Sequence, residues 1–216
     1  MIYLVRHGET NWNRLKMWQG NSDIPLNEFG CRQAEATAKV FENCVIDAVY
    51  SSPLSRAYET AEIIANSLNL ELTVIDNLRE GKIELWNGKK TEEVLSKFKN
   101  EFEKWQTDPY AEINGLESLA EVQLRAVKTF KKIVARHRED SNIVIVTHAL
   151  WLKTLICWLL KMPVTENKRF KIDNASINKV MFDGKEFYLV SLNETWHLKV
   201  LDESQRLSGG VKYGES

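Results

Sequence analysis

The stretch Ile2-Tyr3-Leu4-Val5-Arg6-His7-Gly8-Glu9-Thr10 decides how the chain is read. Its first four residues form an apolar run, the pattern of a short buried strand. The run breaks at once into Arg-His-Gly. A guanidinium and an imidazole therefore stand at the C-terminal end of a strand, where open α/β sheets bind their ligands. Arg6 offers a planar fork of donors suited to phosphate oxygens. His7 carries a ring nitrogen that can be neutral and nucleophilic near pH 7. Gly8 has no Cβ and lets backbone come close to a ligand.

Three more strand ends repeat the arrangement. Val45–Tyr50 reads as the second strand and leads into Ser51-Ser52-Pro53-Leu54-Ser55-Arg56. Ser52 has the character of an N-cap and Pro53 of a first helical residue, which puts Arg56 in the first turn of a helix to about Leu68. Free N–H groups at such a terminus favour anions. Leu70–Ile75 is a third strand, followed by Leu78-Arg79-Glu80. Ile143–Thr147 is a β-branched run expected at the centre of a sheet, and it ends at His148.

The connecting segments complete an alternating β and α pattern. Thr10–Asp23 reads as an irregular loop carrying Trp12, Asn13, Trp18, Gln19 and Gly20, well placed to cover a site. Asn27 caps a helix over about Glu28–Glu42. Residues 81 to 115 are the least regular part, with a helix over about Thr91–Trp105; they read as an insertion over the pocket with too little apolar content for a core of its own. Leu119, Ala120, Leu124, Val127, Phe130 and Val134 mark an amphipathic helix from Glu117 to about His137, with Ser118 and Glu121 spaced as a capping box. A helix over about Leu150–Leu160 and two strands, Ile177–Phe182 and Phe187–Ser191, joined at Asp183-Gly184, follow. The last dozen residues read as a polar tail.

Together, the strand ends supply the parts for phosphoryl transfer. A metaphosphate-like transition state is stabilised mainly by positive charge and positioning. Arg6, Arg56 and His148 provide that charge without a metal. The leaving alkoxide needs a proton, which a carboxyl group such as Glu80 can give, and the ionised carboxylate can then deprotonate a water.

Composition narrows the class. The chain has 216 residues, a hydrophobic fraction of 44% and a formal net charge of −1. That balance gives no bulk attraction to nucleic acid or to an anionic membrane. Cys31, Cys44 and Cys157 form neither a disulfide framework nor a zinc spacing. The longest apolar stretch, Ala149–Leu160, is interrupted by Lys153 and too short to span a bilayer. With no signal-peptide pattern at the N-terminus, a cytoplasmic protein is expected. His137 reads as a solvated charge near a helix end, His197 as structural, and Lys89-Lys90 and Lys131-Lys132 as solvated faces.

These blocks resemble the histidine phosphatase superfamily, the phosphoglycerate mutase-like proteins. Leu4-Val5-Arg6-His7-Gly8-Glu9-Thr10 with Trp12-Asn13 is similar to its opening motif. Gln19-Gly20, Asp23-Ile24-Pro25-Leu26, Gly30 and Gln33-Ala34 match a second block, and Ser51–Ala57 with Thr60-Ala61 a third. Leu78-Arg79-Glu80 and Val146-Thr147-His148 complete the order. The resemblance runs from residue 2 to about residue 178. It implies an α/β three-layer sandwich, a mostly parallel mixed sheet flanked by helices, formed by 1–216 as a single histidine phosphatase domain. By the same resemblance His7 is the phosphorylated nucleophile. Arg6, Arg56 and His148 hold the phosphoryl group with help from Asn13, and Glu80 is general acid and base. No metal or other cofactor is implied. Gln19, Gly20, Trp86 and Ala149 are the further substrate-binding candidates.

Departures fall beside these positions. Ala149-Leu150 stands where the family often has Gly-Gly, Asn27 replaces a common threonine, and Leu116-Glu117-Ser118 replaces Gly-Glu-Ser. The cofactor-dependent mutases carry a Glu-Arg-His-Tyr-Gly type block at the acid. Here Glu80 is followed at a distance by Trp86-Asn87-Gly88, which resembles the phosphatase branch. The expected activity is a metal-independent phosphomonoesterase acting on a small phosphorylated metabolite. The other readings are a cofactor-dependent phosphoglycerate mutase, an α-ribazole phosphatase and a non-catalytic phosphate-ligand binding protein. The expected partner is a small-molecule phosphate ester, with no nucleic acid and no membrane; a homodimer stays open.

Overall fold

The computed structural model describes residues 1–201 of the chain. Six strands form one sheet: β1 (Ile2–Arg6), β2 (Ala48–Ser51), β3 (Leu72–Val74), β4 (Ile143–Thr147), β5 (Ile177–Phe182) and β6 (Phe187–Glu194). Their order is β3-β2-β4-β1-β5-β6. The first four are mutually parallel, and β5 and β6 run antiparallel. β1 and β4 occupy the middle, and every residue of β4 is buried.

Alternation along the strands sorts the core into two layers. Ile2, Leu4, Tyr50, Ile143 and Ile145 face α6 (Leu119–Val134) and α7 (Ala149–Leu159), where Phe130, Trp151 and Leu155 meet them. Val5, Val49, Val144 and Val146 face α2 (Glu28–Phe41) and α3 (Ser55–Ser67), through Phe41, Ala57, Ala61 and Ile64. This is the expected α/β three-layer sandwich. α6 opens with the predicted capping box: Ser118 Oγ accepts from the Glu121 amide at 3.3 Å, and Glu121 Oε2 accepts from the Ser118 amide at 2.8 Å. Such a cap contributes on the order of 1 kcal/mol.

Several boundaries differ from the sequence reading. A short helix, α1 (Asn11–Arg14), stands inside the expected loop, capped by Thr10. β2 starts at Ala48, because Val45 is turned out to solvent. α3 begins at Ser55, and neither Ser52 nor Pro53 opens it. Its N-terminus is capped by a distant side chain: Asp23 accepts from the Ser55 amide at 2.7 Å and from its hydroxyl at 2.9 Å. The expected helix of residues 91–105 is two, α4 (Thr91–Lys97) and α5 (Lys99–Thr107), broken at Phe98 without a Gly or Pro to mark the bend. The tail expected beyond residue 201 lies outside the described residues.

The insertion is richer in apolar contacts than expected. Ile83, Trp86, Val94 and Trp105 form a third buried cluster. Leu119, Leu150, Val164 and Trp18 from outside the segment complete it, so this cluster is shared with the helices beneath. Among the described residues, no helix is long and apolar enough to cross a membrane.

Candidate active site

Sheet register brings the sequence blocks together. Arg6 pairs with Thr147 across β1 and β4, so His7 and His148 leave the sheet side by side. Their ring centroids are 5.2 Å apart. Ser51 pairs with Val146, which puts Ser52 next to the same strand end. The Thr147 hydroxyl donates to the Leu78 carbonyl at 2.6 Å and ties the turn carrying Glu80 to β4.

His7 is buried, and its Nδ1 lies 2.7 Å from the Gly8 carbonyl oxygen. A carbonyl only accepts, so Nδ1 holds the proton and Nε2 keeps its lone pair. Burial holds the His7 pKa well below the usual 6.5, and the Arg56 and Arg6 charges push it the same way. The ring is therefore neutral at pH 7 and can act as a nucleophile. Gly8 serves the scaffold more than a ligand. A Cβ there would stand 2.5 Å from the Gly30 carbonyl oxygen, so the glycine lets α2 close on the end of β1.

Two guanidiniums flank the imidazole. Arg6 donates to the Ile172 carbonyl at 2.7 Å. Arg56 donates from both terminal nitrogens, to the Ser22 and Gly20 carbonyls, at 2.7 Å each. Burial lowers the Arg56 pKa to about 10, which leaves it charged at neutral pH. In both side chains Nε is buried with no hydrogen-bond partner among the described residues. Gly20 has a φ of +47°, and a Cβ there would strike the Ile83 side chain at 2.4 Å. The position thus requires glycine to turn its carbonyl toward Arg56.

Asn13, Glu80, Gln19, Gly20 and Ala149 line one cavity with Arg6, His7 and Arg56, of about 430 Å³, while His148 and Trp86 are fully buried and are not among its lining residues. Asn13 Oδ1 accepts from the Thr10 amide and from Asn174 Nδ2, both at 3.1 Å, which turns its amide nitrogen free for a ligand. The Glu80 carboxylate accepts from the Leu150 and Trp151 amides at 3.2 Å each, at the N-terminus of α7. His148 is fully buried, with its pKa lowered by burial and then by Arg56 and His7. Its Nε2 lies 2.8 Å from Ser52 Oγ, and its Nδ1 has no hydrogen-bond partner among the described residues. Gln19, Gly20 and Ala149 line the cavity. Trp86 does not: it is fully buried behind the wall, and Trp18 and Trp105 take the lining positions.

An arrangement of this kind can accept a phosphoryl group on an imidazole, hold its oxygens with fixed cations and move a proton at one carboxyl group. The family model of the histidine phosphatase superfamily (branch 1) matches residues 2–195. This chain belongs to that superfamily. It is similar to Phosphoserine phosphatase 1 of Hydrogenobacter thermophilus, with 35% identity over 91% of this chain and 93% of the relative. It is also 32% identical, over 95% of this chain and 99% of the relative, to a Yersinia pestis protein named "Probable phosphoglycerate mutase GpmB". Among solved structures, phosphoserine phosphatase from Entamoeba histolytica in complex with 3-phosphoglyceric acid superposes with a TM-score of 0.83 at 32% identity, covering 91% of this chain and 98% of the other.

In this histidine phosphatase, sequence reasoning missed several residues around the cavity. Ser52 was read as a helix cap, although it lay inside a recognised block. Lys153 stands four residues after Ala149, one turn on along the same helix face, and also lines the cavity. Arg125 holds the turn that carries Glu80, donating to the Asn77, Arg79 and Glu80 carbonyls at 3.1, 2.7 and 3.2 Å. Asn174 lies in a stretch with no sequence signal. His197 is buried against Thr37 and the Ala175 carbonyl, a structural role as expected. His137 is bonded to the Tyr50 hydroxyl at 2.7 Å, where a solvated charge was expected. A larger groove of about 1030 Å³ lies at the opposite end of the sheet, beside Met1, Trp158 and Phe187, and holds none of the site residues.

Proposed function

We propose that this histidine phosphatase hydrolyses a small phosphomonoester through a phosphohistidine on His7. The observation that carries the reading is the hydrogen bond from His7 Nδ1 to the Gly8 carbonyl, which leaves Nε2 unprotonated beside Arg6, Arg56 and His148. Nε2 attacks phosphorus and the ester P–O bond breaks. Glu80 in its acid form gives a proton to the departing oxygen. Arg6, Arg56, His148 and the Asn13 amide hold the phosphoryl oxygens. Glu80, now ionised, takes a proton from water; the water oxygen attacks phosphorus, the N–P bond breaks, and phosphate leaves a neutral His7.

Product analysis tests this. The protein is given O-phosphoserine, 3-phosphoglycerate and an α-ribazole phosphate in the presence of EDTA, and free phosphate and phosphoglycerate isomers are followed together. Phosphate release from at least one ester, abolished in His7→Ala, is the expected result. Isomerisation of phosphoglycerate with little free phosphate would assign a mutase. Ligand binding with no turnover of any ester would assign a binding protein. The Glu80, Trp86 and Gly88 spacing supports the phosphatase, as does the Hydrogenobacter relative.

A further inference from the structure

The cavity holds more positive charge than a phosphoryl group answers. Four of its lining side chains are fixed cations, Arg6, Lys16, Arg56 and Lys153, against the single carboxylate of Glu80. A phosphoryl dianion pairs with the two arginines. Lys16 is exposed and is answered by solvent. Lys153 is half-buried and makes no hydrogen bond or salt bridge with any described residue, although it lies within electrostatic reach of Arg6 and Glu80. Burial lowers its pKa, and the Arg6 charge adds to the effect. An ammonium withdrawn from water without a partner carries a desolvation cost that an arriving anion removes.

The position of Lys153 says which part of a substrate it meets. It projects from α7 within one turn of the amides that bind Glu80, and Glu80 serves the leaving oxygen in the reaction proposed above. Trp18, Trp105, Ile83 and Leu150 supply the apolar part of the cavity wall, the neutral side chains of Thr91, Gln106 and Asn167 also line it, and beyond the two arginines Lys153 is the lining cation that is not exposed. One ammonium on a wall whose other side chains are apolar or neutral suits one carboxylate. We propose that Lys153 is a specificity-determining residue whose ammonium takes a carboxylate on the leaving-group side of the phosphoester. The inference rests on the phosphatase reading and deepens it: the substrate is a phosphorylated small carboxylic acid, bound at both ends by cations.

Matched ester pairs test the inference. O-phosphoserine is compared with O-phosphoethanolamine, which lacks only the carboxylate, and 3-phosphoglycerate with glycerol 3-phosphate. The readout is the ratio of kcat/KM within each pair, for wild type, Lys153→Met and Lys153→Arg. Wild type is expected to favour the carboxylated member, and Lys153→Met to lose that preference by on the order of tenfold to a hundredfold, mainly through KM. Lys153→Arg, which keeps the charge, is expected to restore most of it. A wild type without the preference overturns the proposal even if Lys153→Met does not fold. So does a Lys153→Met that weakens both members of a pair equally. In either case continued phosphate release leaves the phosphatase reading standing. No phosphate from any ester ends both.

Discussion

Ser52 Oγ lies 2.8 Å from His148 Nε2, joining residues 96 positions apart in the sequence. The hydroxyl also accepts from the Leu54 amide at 3.3 Å. With the Leu54 amide donating to it, the hydroxyl can give its own proton to Nε2, which leaves the ring proton on Nδ1, a nitrogen with no hydrogen-bond partner among the described residues. In that arrangement Ser52 sets the His148 tautomer, and Nδ1–H is the donor that the proposed phosphoryl contact requires. Ser52→Ala strips a buried nitrogen of its partner, at a cost of about 1–3 kcal/mol. The expected result is a lower melting temperature and a kcat reduced by about tenfold or more. Ser52→Thr, which keeps the hydroxyl, should recover most of the activity. Equal activity in wild type and Ser52→Ala would remove the serine from the site.

All four histidines have pKa values below 6.5, and burial is the first cause in each. The unfolded chain binds protons at these positions near pH 6.5, while the folded chain resists them. Their contribution to stability is therefore complete above about pH 6.5 and is lost as pH falls from there toward the folded values. Melting temperature should decline on acidification through this window, before the carboxylates titrate. NMR of the imidazole resonances should show His7 and His148 still neutral at pH 6.5. A normal titration midpoint for His7 would contradict the burial and the two arginines that set its state.

Glu80 is held by backbone amides at the start of α7, and its turn is held by Arg125. A carboxyl group that protonates the leaving oxygen matters most when that oxygen is a poor leaving group. Glu80→Gln should lower kcat on alkyl phosphates by roughly 10²–10⁴. The phosphorylation step on p-nitrophenyl phosphate, whose phenolate needs little protonation, should suffer far less. Rapid-quench measurement of nitrophenolate and phosphate separates the steps. Equal losses on both ester types in the first step would take the acid role away from Glu80.

The sequence was most informative where chemistry and strand ends coincide. β1 and β4 are short apolar runs that stop at polar residues, and their parallel register alone brings His7 beside His148. The capping box at Ser118 was legible because both partners lie within one turn. What escaped depends on contacts between distant segments. Asp23 caps α3 from 32 residues away, freeing Ser52 for His148, and nothing local announces that exchange. Lys153 reads as an interruption in an apolar helix until α7 is packed and its charge is found facing the cavity. Trp86 was drawn to the substrate by its place in a motif, yet which of three clustered tryptophans reaches the cavity is settled by packing.

Trp86 and Trp18 should accordingly separate stability from binding. Trp86 is fully buried, edge-on to Trp105 at 5.3 Å and beside Phe102 at 5.6 Å. Replacing it with alanine removes the centre of the third cluster, at a cost of about 3–5 kcal/mol. In a chain of this size that corresponds to a fall in melting temperature on the order of 10 °C. Trp18 is only partly buried and lines the cavity, so Trp18→Ala should act chiefly by raising KM for the ester. Thermal unfolding and phosphate-release kinetics on both variants, assayed well below the melting range, make the comparison. If Trp86→Ala melts like wild type, the insertion does not depend on its shared core; if Trp18→Ala leaves KM unmoved, the ester does not reach the aromatic wall.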